Sequence, residues 1–281
     1  MSLESKNAKP PHPDFDAETA LDAALKTPLL SLQGQTALIT GASSGIGLAT
    51  ACQLAAEGVS LKLVARRAER LEALQAALKK RFPQVQIETL KADLAQPESW
   101  EALETAGFYA VDILINNAGL ARGRDTVVQS QWADWQAMLD LDVAAAFEIT
   151  RRVVPGMLER GRGDIVCLGS AAGQIPYAGG AIYCAAKHAL RAFCQVLRRE
   201  TCGQNLRVLL ISPGMVETEF SVVRLGAEAA KSVYAGMDPL TPAEVAAQML
   251  FALKQPRHIN WDELLLMATA QGGVEKVVRR A

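Results

Sequence analysis

Tyr183 and Lys187 stand four positions apart in Tyr183-Cys184-Ala185-Ala186-Lys187, a spacing that puts both side chains on one face of a helix. A free phenol, with a pKa of about 10, is a poor acid or base at neutral pH, but a neighbouring ammonium stabilises the phenolate. Tyr183 then becomes a usable proton donor and acceptor. Ser170 lies thirteen residues earlier, directly after an apolar run, where its hydroxyl can hold a substrate oxygen and turn it toward Tyr183. Proton exchange at that oxygen, with a hydride leaving or joining the adjoining carbon, is the chemistry the trio fits. Ser170, Tyr183 and Lys187 are the catalytic candidates.

A Tyr-x-x-x-Lys pair is common on surface helices, so it gains weight only from what accompanies it. Thr40-Gly41-Ala42-Ser43-Ser44-Gly45-Ile46-Gly47 follows a short apolar run and enters a segment of helical period. A Gly-x-x-x-Gly-x-Gly turn there lets the backbone approach a pyrophosphate and offers a helix N-terminus to the anion. Gly41, Ala42, Ser43, Ser44, Gly45, Ile46 and Gly47 are accordingly cofactor candidates. The next apolar run, Leu61-Lys62-Leu63-Val64, ends at Ala65-Arg66-Arg67, where a fold selective for NAD places an acid on the ribose 2′-hydroxyl. Two arginines, with Ser43 or Ser44 beside them, instead suit a 2′-phosphate. NADP(H) is the expected cofactor. Asp93 and Leu94 follow the third run and Asn117-Ala118-Gly119 the fourth, again at carboxyl ends of strands, where open α/β sheets bind ligands.

Positioning these residues requires repeated β-α-β units. Strands are expected at Thr36 to Thr40, Ser60 to Ala65, Gln86 to Lys91, Val111 to Asn116, Asp164 to Leu168, Arg207 to Ile211 and Leu264 to Met267. Runs as unbroken as Val208-Leu209-Leu210-Ile211 suit strands covered on both faces. The fold class predicted is α/β, a Rossmann-type doubly wound seven-stranded parallel sheet in a single domain spanning residues 34 to 281. Residues 1 to 33 read as a partly mobile N-terminal extension, because Lys9-Pro10-Pro11-His12-Pro13 fits neither helix nor central strand. Within it, Asp14 to Lys26 has a helical pattern whose apolar side, Phe15, Leu21 and Leu25, can pack on the domain. The weak period near 215–240 suggests a lid over the site.

The 281 residues carry 29 Lys+Arg against 30 Asp+Glu and are 50% hydrophobic, which leaves no basic field for nucleic acid or an anionic membrane. The longest instructive uncharged stretch, Ile165 to Ala186, contains four Gly and a Pro and is no membrane span. Five cysteines, an odd number with no Cys-x-x-Cys, fit a reducing compartment and no metal site. With no basic n-region followed by an apolar run at the N-terminus, the cytoplasm is the expected location.

Taken in order, the glycine-rich turn, Asn116-Asn117-Ala118-Gly119, Ser170, Tyr183, Lys187 and Pro213-Gly214 resemble the short-chain dehydrogenase/reductase family over roughly Gln35 to Met267. The resemblance implies Ser170 as anchor of the substrate oxygen, Tyr183 as general acid/base and Lys187 as ribose ligand that eases ionisation of the phenol. It also implies that Pro213-Gly214-Met215-Val216-Glu217-Thr218 cradles the nicotinamide amide, through Pro213, Gly214, Val216 and Thr218. Subunits of the family often pair through helices that match Gln131 to Met157 and Tyr183 to Cys202, so a homo-oligomer, a tetramer by analogy, is expected. One departure is visible: the family usually has Asn where Asp142 stands. An Asp either keeps the helix and its water, or pairs with Lys187 and blunts its effect on Tyr183.

Gln174 to Gly180 and Val216 to Arg224 resemble a narrower branch, the NADP-dependent 3-hydroxy acid dehydrogenases that act on serine and allo-threonine. That implies oxidation at a β-hydroxyl of a small hydroxy acid or secondary alcohol, or the reverse reduction. Arg224 is the candidate anchor for a substrate carboxylate, with Tyr177 lining the pocket beside Ser170 and Tyr183. Two alternatives stay open: a nucleotide-sensing binding protein with weak catalysis, and a reductase of acyl-carrier-bound or lipid ketones.

Overall fold

The computed structural model describes residues 16–25 and 28–280. Seven parallel strands form one sheet in the order β3-β2-β1-β4-β5-β6-β7. They are β1 (Thr36–Thr40), β2 (Ser60–Ala65), β3 (Ile87–Lys91), β4 (Ile113–Asn116), β5 (Gly163–Leu168), β6 (Leu206–Pro213) and β7 (Glu263–Leu266). The sequence order reverses between β1 and β4, which pair directly with Ile39 opposite Ile115. A doubly wound sheet opens its ligand crevice at such a switch point, beyond the carboxyl ends of the strands.

The period of two along each strand splits the core into two layers. Leu38, Leu114, Ile165, Cys167, Val208 and Leu210 face one side, and Ala37, Ile39, Ile113, Ile115, Val166, Leu209 and Ile211 the other. This double burial explains why the strands carry almost no polar alternation. The flanking helices are α1 (Ala17–Leu25), α2 (Gly45–Ala56), α3 (Ala68–Arg81), α4 (Pro97–Thr105), α5 (Trp132–Leu139), α6 (Ala146–Glu159), α7 (Ala181–Glu200), α8 (Phe220–Leu225), α9 (Ala227–Val233) and α10 (Pro242–Leu253). Their buried residues recur at helical spacing, as in α2, where Gly47, Thr50, Ala51, Leu54 and Ala55 face inward. Helix α10 begins with proline at its first turn and a reciprocal cap between Thr241 and Glu244, with Thr241 N donating to Glu244 Oε2 at 2.7 Å.

Sequence and structure agree on all seven strands, with ends shifted by one or two residues. β6 runs on to Pro213 because β7 pairs with it as far as Leu266. Helix α1 falls inside the expected segment, but Leu21 and Leu25 are exposed at 60% and 73%; neither packs on the domain, and Phe15 lies outside the described residues. Further along, the Leu30 amide donates to Lys254 O at 2.7 Å and Leu32 is buried. No helix among the described residues is long and apolar enough to cross a membrane.

Candidate active site

The carboxyl ends of β1, β2, β4, β5 and β6 surround a cleft of about 320 Å³. On its floor β1 hands over to α2 through a turn in which Gly41 and Gly45 adopt φ of 68° and 55°, values only glycine takes readily. Packing adds a second demand. A Cβ on Gly41 would lie 2.8 Å from Asn117 Nδ2, and one on Gly47 would lie 2.5 Å from both Asn117 Nδ2 and Gly41 O. Asn117 spends its amide on this junction, donating to Thr40 O at 2.8 Å, while Thr40 Oγ1 accepts from the amides of Asn117 and Ala118. The turn is therefore held open by neighbouring strands, and the N-terminus of α2 faces the cleft.

Arg67, expected from the sequence to meet a 2′-phosphate, is held by several hydrogen bonds at the cleft. Its Nε and Nη2 donate to Ser43 Oγ at 3.3 and 3.2 Å, and Nη2 donates to Ser44 Oγ at 2.7 Å. Its Nη1 donates at 2.8 Å to the Glu219 carboxylate, which Arg70 also binds at 2.7 Å. Hydrogen bonds from Arg67 and Arg70 hold the Glu219 carboxyl below the usual carboxylate range. A carboxylate resting on two guanidinium groups marks this corner as favourable to anions. Arg66 is exposed and lines the same corner.

Across the cleft, Ser170 follows β5 by two residues in extended conformation, and its Oγ accepts the Ala172 amide at 3.1 Å. That contact uses a lone pair and leaves the hydroxyl proton to donate into the cleft. Tyr183 and Lys187 come from the first two turns of α7. Tyr183 packs against Phe220, ring centroids 5.8 Å apart, and the Lys187 ammonium lies 5.7 Å from the Tyr183 ring centre. Lys187 is buried; its Nζ donates to Leu168 O at 3.1 Å and lies 3.4 Å from Asp142 Oδ2. Burial pushes the Lys187 amine down, but the Asp142 carboxylate and its other neighbours outweigh this and hold it above the ordinary lysine value.

Ser170, Tyr183 and Lys187 line one cleft with Gly41, Ser43, Ser44, Gly45, Ile46, Arg66, Arg67, Asp93, Leu94, Asn117, Ala118, Gly119, Pro213, Gly214, Val216 and Thr218. Ala42 and Gly47 are buried behind its wall: the Ala42 amide is spent on Val64 O at 3.2 Å, and Gly47 packs under the turn. Tyr177 and Arg224 stand beside the cleft. The Arg224 guanidinium lies between the rings of Tyr177 and Tyr183, 5.6 and 5.4 Å from their centres, and Nε donates to Gly123 O at 3.1 Å. The sequence reading passed over Leu120, Leu141, Glu219 and Phe220, which also line the cleft. For Glu219 a signal existed, an acid within the same weakly periodic segment as Arg224.

A nucleotide-cradling turn joined at one sheet edge to a hydroxyl, a phenol and an ammonium defines a dinucleotide-dependent oxidoreductase. The family model for short chain dehydrogenase matches residues 35–227, and the chain belongs to that family. It is 40% identical over 256 residues to the NADP-dependent 3-hydroxy acid dehydrogenase of Schizosaccharomyces pombe, covering 89% of this chain and 98% of that one. It is 41% identical over 238 residues to the serine 3-dehydrogenase of Agrobacterium fabrum, covering 84% and 94%. Among solved structures, the closed form of serine dehydrogenase complexed with NADP+ superposes with a TM-score of 0.80 at 33% identity, covering 88% of this chain and all of that one.

Proposed function

We propose that this protein is an NADP(H)-dependent oxidoreductase that interconverts a small 3-hydroxy acid, of the serine type, or a related secondary alcohol with the corresponding carbonyl compound. The observation that carries the reading is the meeting of Ser170, Tyr183 and Lys187 with an arginine-walled nucleotide turn in one cleft. The named relatives support both the cofactor and the hydroxy-acid class. NADP+, when bound, supplies the acceptor for the hydride from the carbinol carbon.

The chain's own residues do the rest. The glycine turn and the N-terminus of α2 receive the pyrophosphate, Arg66 and Arg67 the 2′-phosphate, and the segment from Pro213 to Thr218 the nicotinamide end. Ser170 donates a hydrogen bond to the substrate oxygen, which fixes it before Tyr183. The phenolate oxygen of Tyr183 takes the hydroxyl proton during oxidation and returns it during reduction. Lys187, charged and buried one helical turn away, stabilises the phenolate. Such proton transfer is worth about 10²–10⁴ in rate.

Arg224 supplies the acid selectivity in this reading. Its guanidinium, fixed by Gly123 O, lies 5.4 Å from the Tyr183 ring centre beside the cleft and can pair with a carboxylate. Arg224→Ala is expected to cut the preference for carboxylated over neutral alcohols by roughly tenfold to a hundredfold, the worth of about 1.5–3 kcal/mol for a charged hydrogen bond. An unchanged ratio of kcat/KM values for 3-hydroxybutyrate and 2-butanol would remove that role. Helices α8 and α9, near 215–240, act as the lid that carries Arg224 over the site.

NADP+ reduction measured against D- and L-serine, the threonine stereoisomers, 3-hydroxybutyrate and simple secondary alcohols tests the substrate class. Preference for a 3-hydroxy acid is expected; turnover of neutral alcohols alone would overturn that part. The proposal extends to a cytoplasmic homo-oligomer, a tetramer by the family resemblance. Trp132 on α5 and Val196 on α7, exposed at 67% and 51%, support an assembly, which light scattering would read as a mass above the 30.1 kDa of one chain.

A further inference from the structure

Among the described residues, Asp142 is a fully buried carboxylate beside the proposed acid/base pair, and its surroundings are uneven. It sits in a π-helical turn, Asp140–Ala145, between α5 and α6, a departure from α-helical winding that tends to occur at functional sites. Oδ1 accepts the Leu120 amide at 2.7 Å. Oδ2 has no hydrogen-bond donor, and the group it faces is the Lys187 ammonium at 3.4 Å. The approach is close enough that a Cβ on Gly119 would stand 3.2 Å from Oδ1 and 3.4 Å from Nζ, so the glycine ending Asn116-Asn117-Ala118-Gly119 makes room for the pair.

We propose that Asp142 is a positioning residue that acts through Lys187, as a buried counter-charge that draws on the ammonium's field and so raises the pH at which the site gains its base. This deepens the Tyr183 reading and rests on it. A buried opposite charge within about 4 Å strongly changes what a cation offers its other neighbours. Burial, the largest influence, pushes the Asp142 carboxyl above the usual range, with Lys187 pulling it down. The other titratable or charged groups facing this cluster are few. Tyr183 lies on the same helix as Lys187, Cys167 reaches Lys187 from β5, and Arg224 of α8 lies over the Tyr183 ring.

The sign follows. Asp142→Asn keeps the shape and the acceptor for Leu120 but leaves Lys187 uncompensated, so phenolate forms more readily. The acid limb of the kcat/KM profile for alcohol oxidation should move down by about one unit, roughly a tenfold gain at pH values below the wild-type midpoint. Phenolate absorbance in the cofactor-free protein, taken as the difference from Tyr183→Phe, should move by the same amount in the same direction. Asp142→Ser, which removes the charge and admits water, should reproduce the shift, whereas Asp142→Asn placed in a Lys187→Met background should produce none. Midpoints that stay put or rise in Asp142→Asn and Asp142→Ser, or a shift that survives Lys187→Met, would overturn the proposal. Failure of the underlying reading looks different: Tyr183→Phe would then keep the wild-type rate and limb.

Discussion

Tyr183→Phe is expected to lower kcat for NADP+-linked alcohol oxidation by about a thousandfold, within the 10²–10⁴ range that positioned proton transfer supplies, while NADPH still binds. The change removes one oxygen. The ring stays packed against Phe220 and under Arg224, and Ser170 and Lys187 keep their own anchors on Ala172 N and Leu168 O. A large loss of rate without loss of binding therefore isolates the proton step. Single-turnover kinetics with fluorescence of bound NADPH read both quantities in one experiment. A variant with undiminished rate would mean that another group moves the proton.

The second large effect concerns cofactor choice. Replacing Arg66 and Arg67 together with Ala should raise KM for NADP+ by about tenfold to a hundredfold, as expected for losing charged hydrogen bonds worth about 1.5–3 kcal/mol, and should change KM for NAD+ far less. The asymmetry arises because the arginines directly follow β2, at the position where a 2′-phosphate distinguishes the two nucleotides. Arg67 also steadies Ser43 and Ser44, so part of the loss will fall on both cofactors; the ratio between them carries the test. An unchanged NADP+/NAD+ ratio would assign the 2′-phosphate to other residues. Arg70, which shares Glu219 with Arg67, would then be the next to replace.

Much of this architecture is written locally. β1 and β2 match their expected bounds because each is a largely apolar, largely buried run whose pattern is broken by the residues that follow it, Gly41 in one case and the arginine pair in the other. The Tyr183-Lys187 pair is equally local, since helical spacing alone puts them together. What stays hidden depends on chain segments distant in sequence. Glu219 meets Arg67 across 152 positions, and the Leu120 amide meets Asp142, which sits in a π-helical turn, across 22. Ala42 and Gly47 belong to the nucleotide turn by pattern yet stand behind its wall, for the pattern records where glycine is needed and not which side faces the ligand. The apolar side of α1 shows the same limit: Leu21 and Leu25 have helical spacing, but no neighbouring surface covers them.

A deuterium label at the carbinol carbon of the preferred 3-hydroxy acid follows the reacting bond itself. Incubation with NADP+ should yield NADPH carrying the deuterium on one face of its nicotinamide ring, with the rate slowed in a single turnover. NADP+ bound in the cleft, with no deuterium transferred from any 3-hydroxy acid or secondary alcohol offered, would contradict the account.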